Sequence, residues 1–163
     1  MRWIEERLSG LYGKIVGERK SAEFIARGWS IGVFIGSVMP FGVQIYVALP
    51  LSMLLKGSRV GALTGTLVSN PFTILVLYPA QCWAGSRLLG KDISWAAISD
   101  ALKGVLTQQD WSSLSQLSGH LVASFFAGGL MLAAVLTPLA YYLVLALVRN
   151  YRRVRGIPEV LDS

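Results

Sequence analysis

Residues 28–55 read GWSIGVFIGSVMPFGVQIYVALPLSMLL, and this stretch decides the fold. It carries no charge across 28 positions. Roughly 20 helical residues cross the hydrocarbon core of a bilayer, so the stretch is too long for one simple upright span. Pro40 and Pro50 lie within it. Proline removes a backbone donor and clashes with the preceding turn, so Pro40-Phe41-Gly42 predicts a break. Beyond Lys56 and Arg59 comes a second uncharged stretch, VGALTGTLVSNPFTILVLYPAQCWAGS over residues 60–86, broken at Ser69-Asn70-Pro71 and carrying Pro79. A third apolar stretch covers 119–148, with Gly128-Gly129 near its middle, and is closed by Arg149, Arg152, Arg153 and Arg155.

The composition agrees with these blocks. Of 163 residues, 53% are hydrophobic and 15% charged, against roughly 25% charged in an ordinary soluble domain. Such a chain is not disordered, because disorder needs low hydrophobicity and high charge. The expected fold is all-α and a single domain: a small helical membrane protein with two proline-broken hydrophobic hairpins, open to a re-entrant course, and a C-terminal transmembrane helix. In residues 1–27, Ile4, Leu8, Leu11 and Ile15 make an amphipathic stripe, which suits a helix in the membrane interface or one packed on the protein. No cleavage site follows a short apolar region there, so the first apolar block is expected to be retained. Residues 92–118, with Trp95, Ile98, Leu102 and Leu106 at helical spacing, predict one or two short surface helices. Residues 149–163 form a basic cytoplasmic tail.

The net charge is +6. Because Lys and Arg flank apolar blocks, the positive-inside effect accounts for them and nucleic acid is not the expected partner. Let the first block dip and return while the second and third each cross once. Twelve basic residues then face the cytoplasm, leaving only Arg87, Lys91 and Lys103 outside. This arrangement predicts a bacterial inner-membrane protein with both termini cytoplasmic.

Gly28, Gly32, Gly36 and Pro40 recur every fourth residue, as do Gly57, Gly61, Gly65 and Ser69. Small residues at this spacing let helices approach closely in lipid. Gln44, Asn70 and Thr73 stand beside the breaks, with Gln44 and Asn70 as the only amides expected there. They either satisfy freed backbone groups or line a site. In the second case, half-helix starts at Phe41 and Phe72 offer free N–H groups to an anion, a phosphate or a lipid head group. Asn70 suits an N-cap ahead of Pro71, and Gln44 is the freer to face a cavity. Tyr46 and Tyr78 sit deep in the blocks, where a hydroxyl needs a partner. No Asp or Glu occurs between Glu23 and Asp92, so a carboxylate-based cation carrier or pump is not expected, although backbone carbonyls alone could still hold a cation. With His120 the only histidine, Cys82 the only cysteine and no nucleophile motif, no enzymatic activity, metal or cofactor is expected.

The run Gly32-x-Phe34-x-Gly36 into Pro40-Phe41-Gly42-x-Gln44, followed by Ser69-Asn70-Pro71-x-Thr73 and Tyr78, resembles the bacterial membrane family called domain of unknown function 2062. The likeness is clearest over roughly residues 26–90. The chain departs from it at Gly57-Ser58, where the family usually has Asn after the basic residue, and at Val76, where Pro is frequent. The family has no agreed activity, and fusion of some relatives to glycosyltransferase domains implies a loose link to the cell envelope. Two functional classes follow: an oligomeric transport or lipid/anion-handling protein with a site between the broken helices, or a non-catalytic subunit docked onto an envelope or transport complex. Either implies the lipid bilayer and a homo-oligomer or larger complex as partners. The protein should sediment with membranes and resist carbonate and high salt; recovery in a detergent-free soluble fraction would refute the membrane assignment.

Overall fold

The computed structural model describes residues 20–100 and 119–158. The stripe of Ile4, Leu8, Leu11 and Ile15 lies outside the described residues, as do Leu102 and Leu106. All regular structure among the described residues is helical.

Ser21 starts the first helix. Its hydroxyl accepts the Phe24 N–H at 3.0 Å, and α1 runs Ala22–Val38. The helix thus begins six residues ahead of the uncharged block, because its start is set by the cap rather than by hydropathy. The remaining elements are α2 (Gln44–Leu54), α3 (Arg59–Gly65) with a 3-10 turn over Thr66–Val68, α4 (Ile74–Leu88) and α5 (Gly119–Arg155). Pro50, Pro79 and Pro138 lie inside α2, α4 and α5 and end none of them. Residues 95–100 are helical as well, beginning at a Ser94 cap.

The basic cluster at 149–155 belongs to the last turns of α5 and not to a separate tail. The helix stops at Gly156, whose φ of 64° lets the Ile157 N–H reach back to the Arg152 carbonyl. Lys56 takes the same left-handed role after α2, with φ 50°, and Gly57 N–H reaches Ser52 O at 2.7 Å.

The long helix α5 is the spine. At 37 residues it is the one described helix long and apolar enough to cross a membrane. Val122, Phe126, Leu130, Leu139, Leu143 and Leu147 form an exposed apolar stripe along it. Its other face packs antiparallel on two helices in turn. Toward its C-terminus it meets α1, where Ala22, Ile25 and Val148 form a core. There Arg149 pairs with Glu23, and Arg152 donates to the Lys20 carbonyl at 2.6 Å. Toward its N-terminus it meets α4, with Tyr78 and Cys82 packed beside Leu121.

The glycine stripes face one another. A Cβ on Gly32 would stand 2.1 Å from the Ala62 carbonyl oxygen, one on Gly28 2.2 Å from that of Ser58, and one on Gly65 2.4 Å from that of Trp29. Gly36 abuts Thr66 and Val68, Gly57 abuts Gly28, and Gly61 abuts Trp29. These contacts set α3 parallel to α1 at backbone-to-backbone distance, a close approach typical of helices in lipid. The same device repeats on α5. Gly128 meets the Gln81 carbonyl of α4 and Gly129 the Ser37 carbonyl of α1. Gly32→Val should therefore lower stability by about 2–3 kcal/mol or more, since backbone and not a flexible side chain must move. Gly119→Ala meets open space and should change stability by under about 0.5 kcal/mol. Thermal unfolding in detergent compares the two; equal effects would mean that the α1–α3 contact is not tight.

Candidate functional site

The two breaks, about 30 residues apart in sequence, meet in space where the ends of α1 and the Thr66–Val68 turn adjoin the starts of α2 and α4. The chain between α1 and α2 passes through Pro40 to Gly42, whose φ of 95° favours glycine. The second break is closed by its own side chains. Asn70 Oδ1 accepts the Phe72 and Thr73 N–H groups at 2.9 and 3.1 Å. Asn70 Nδ2 donates to Leu67 O at 3.1 Å, and Ile74 N–H reaches Asn70 O at 3.0 Å. Asn70 is thus the cap of the turn that opens with Pro71 and leads into α4. Thr73 Oγ1 accepts the Asn70 N–H at 2.9 Å and donates toward Val68 O at 2.8 Å.

Four cross-links tie one break to the other. The Phe41 N–H donates to the Tyr78 hydroxyl at 2.6 Å. Ser69 Oγ donates to the Gly36 carbonyl in a short hydrogen bond. Gln44 Nε2 donates to Ser69 O at 3.3 Å. Gln81 Nε2 donates to Ser37 O at 2.9 Å. Each partner is a backbone group freed by an interrupted helix, and each bond spares a buried group from standing unpaired. Ser69 is fully buried, as is nearly all of Gln44, Gln81 and Tyr78.

Several expectations are corrected by this geometry. The half-helix starts do not offer free N–H groups at Phe41 and Phe72, because Tyr78 and Asn70 accept from them. Gln44 does not reach open space; it is 2% exposed and bonded to the second break. Tyr46 points outward, at 80% exposed, whereas Tyr78 is buried. The phenyl rings point outward too, Phe72 at 86% and Phe41 at 41% exposure. Gln44 and Asn70 are not the only amides at the breaks, since Gln81 reaches the first from two residues beyond Pro79. The signal for Gln81 was present: a carboxamide inside a helix apolar all round must find a partner. His120 lies exposed in the first turn of α5.

The bonds leave an imbalance. Gln44 Oε1 and Gln81 Oε1 are buried and have no hydrogen-bond partner. The arrangement therefore repairs the backbone while keeping two acceptors in reserve.

A family model described as an uncharacterized protein conserved in bacteria (DUF2062) matches residues 6–156. The chain belongs to this family. No curated protein and no solved structure matches it. Membership of DUF2062 covers all five helices and not just the two motif-bearing breaks. Within this DUF2062 protein the paired motifs have a physical meaning, since Pro-Phe-Gly and Asn-Pro-x-Thr supply the chain reversal and the cap.

Tyr78→Phe leaves the Phe41 N–H unpaired and should cost about 1–3 kcal/mol. Loss of the cap in Asn70→Ala should cost about 1 kcal/mol or more. Tyr46→Phe, on an exposed ring, should stay within about 0.5 kcal/mol. Unfolding temperatures of the three variants check the order, and a destabilised Tyr46→Phe alongside a neutral Tyr78→Phe would contradict the assigned roles.

Proposed function

We propose that this protein works in the bacterial inner membrane as a small transport or lipid-handling protein, with its working centre where the two breaks meet. The observation that carries this reading is the pair of buried carboxamide oxygens left without partners at a junction where the same two side chains bond backbone carbonyls across the breaks. A purely structural junction gains nothing from them, because a buried unpaired acceptor is costly. The engaged N–H groups favour transport or lipid handling over an anion site. With 163 residues, one copy can hardly enclose a pathway, which favours a homo-oligomer.

The packing supports one course through the membrane. In this reading α1 and α2 form a hairpin that dips and returns, α3 and α4 cross together, and α5 crosses back. Arg27 donates to the Leu55 and Lys56 carbonyls, which supports the return of α2 to the level of the start of α1. Lys20, Arg27, Lys56, Arg59, Arg149, Arg152, Arg153 and Arg155 then gather at one end of the molecule. Arg87 and Lys91 lie at the other, where Arg87 pairs with Asp92 at 3.0 Å. This asymmetry supports both termini in the cytoplasm.

A docking subunit is the second reading, favoured by the outward-facing Phe72 and Tyr46 beside the breaks. Complementation of a deletion strain separates the two, with abundance measured in parallel. Under the site reading, Gln44→Ala abolishes the phenotype while keeping at least about half of the membrane-inserted protein; under the docking reading, Phe72→Ala does so and Gln44→Ala acts only through loss of protein. Reporter fusions at Met1 and Ser163 should both report the cytoplasm. A C-terminus accessible from outside overturns the proposed course.

A further inference from the structure

The buried polar atoms at the junction are unequal in kind. A peptide carbonyl only accepts, so the groups facing Ser69 O and Ser37 O must be the amide nitrogens of Gln44 and Gln81. Both carboxamides are oriented by that chemistry, and the atoms left over are oxygens. Five nearby donors are spoken for, the Phe41 N–H by Tyr78, the Phe72 and Thr73 N–H groups by Asn70, the Ser69 hydroxyl by Gly36 O and the Ser37 hydroxyl by Val33 O, and no donor reaches the two oxygens. The two amides also belong to one network. It runs from Gln44 through Ser69 to Gly36, and from the adjoining Ser37 to Gln81. Both side chains are at most 3% exposed.

We propose that the oxygens of Gln44 and Gln81 bind a monovalent cation. The unpaired groups are acceptors, so the ligand must bring positive charge or donors, and an anion would be repelled. They stand where α1 ends, at the negative pole of its peptide dipoles. They are also neutral. The one carboxylate within the five helices, Glu23, pairs with Arg149 at the far end of α1. Divalent ions draw on carboxylate ligands and on water, whereas a singly charged ion released from its hydration shell is suited to neutral oxygens. Sodium, potassium, ammonium and the ammonium head group of a lipid share this chemistry.

The inference rests on the junction being a ligand site, but its test is binding by the isolated protein, which a failed complementation assay leaves untouched. Thermal unfolding of the full chain in mild detergent is followed in sodium, potassium and ammonium chloride, with choline chloride at equal ionic strength as the bulky reference. At a concentration about ten times Kd, at least one small cation should raise Tm by roughly 3–6 °C over choline. In Gln44→Met and Gln81→Met that increment should shrink to under about 1 °C, whatever their own Tm. Equilibrium dialysis of the unaltered protein with radioactive sodium and rubidium should show saturable uptake that choline does not displace. A third arm places the protein in nanodiscs of phosphatidylethanolamine or phosphatidylglycerol. Stabilisation by the former, lost in Gln81→Met, assigns the cation to the lipid head group. Three results overturn the proposal: no small cation and no head group acts beyond its reference, as when water alone satisfies the oxygens; the increments persist in both variants; or, if the variants do not fold, dialysis shows no saturable uptake and the two lipids act alike.

Discussion

The governing constraint is that two interrupted helices meet at one junction, where the freed carbonyls of Gly36, Ser37 and Ser69 turn inward and find their partners within the protein. An interruption leaves carbonyls on one side and N–H groups on the other, and each one left bare in such surroundings costs several kcal/mol. The chain answers with polar side chains from the opposite segment. Ser69 serves Gly36, Gln81 serves Ser37, Gln44 serves Ser69, and Tyr78 serves Phe41. Asn70 and Thr73 cap the second break locally, but the Ser69 carbonyl and the first break are served across the junction, so the two have to be placed against each other with hydrogen-bond accuracy.

That accuracy depends on the glycines. Side chains between α1 and α3 would hold the helices apart and carry Ser69 away from Gly36. With Gly28 and Gly32 against Ser58 and Ala62, and Gly65 against Trp29, the backbones touch. The breaks are thereby brought to the same level. Gly85 and Gly128 do the same for α4 on α5, a Cβ on Gly85 meeting the Ser124 carbonyl at 1.8 Å. Buried serines return their hydroxyls to their own helices, as Ser37 does to Val33 and Ser124 to His120, and so remain small and neutral to their neighbours.

Much of this was legible in the sequence, because it depends on residue types with few other uses. Uncharged blocks, Pro-Phe-Gly and Asn-Pro-x-Thr pointed to helices with two interior breaks, and the spacing of the glycines pointed to close packing. What stayed hidden depends on distance across the fold. That Tyr78 and not Tyr46 turns inward is decided by which face of each helix meets a neighbour, and the hydropathy of blocks apolar all round gives no face. The role of Gln81 is not legible from its position, 37 residues from Gln44, because only the fold brings it to Ser37. The early start of α1 was readable in Ser21, a small capping signal overshadowed by the onset of the apolar run at Gly28.

Gly128 and Gly129 are consecutive, yet one receives α4 and the other α1. On an α-helix adjacent positions are separated by about 100° around the axis. The spine therefore carries two saddles set at a fixed angle, with Gln81 joined to Ser37 across them. A rigid twist of α5 about its own axis cannot keep both seats: whatever drives one helix deeper unseats the other, and it strains the bridge between them. The position of α5 is thus felt by both halves of the molecule at once.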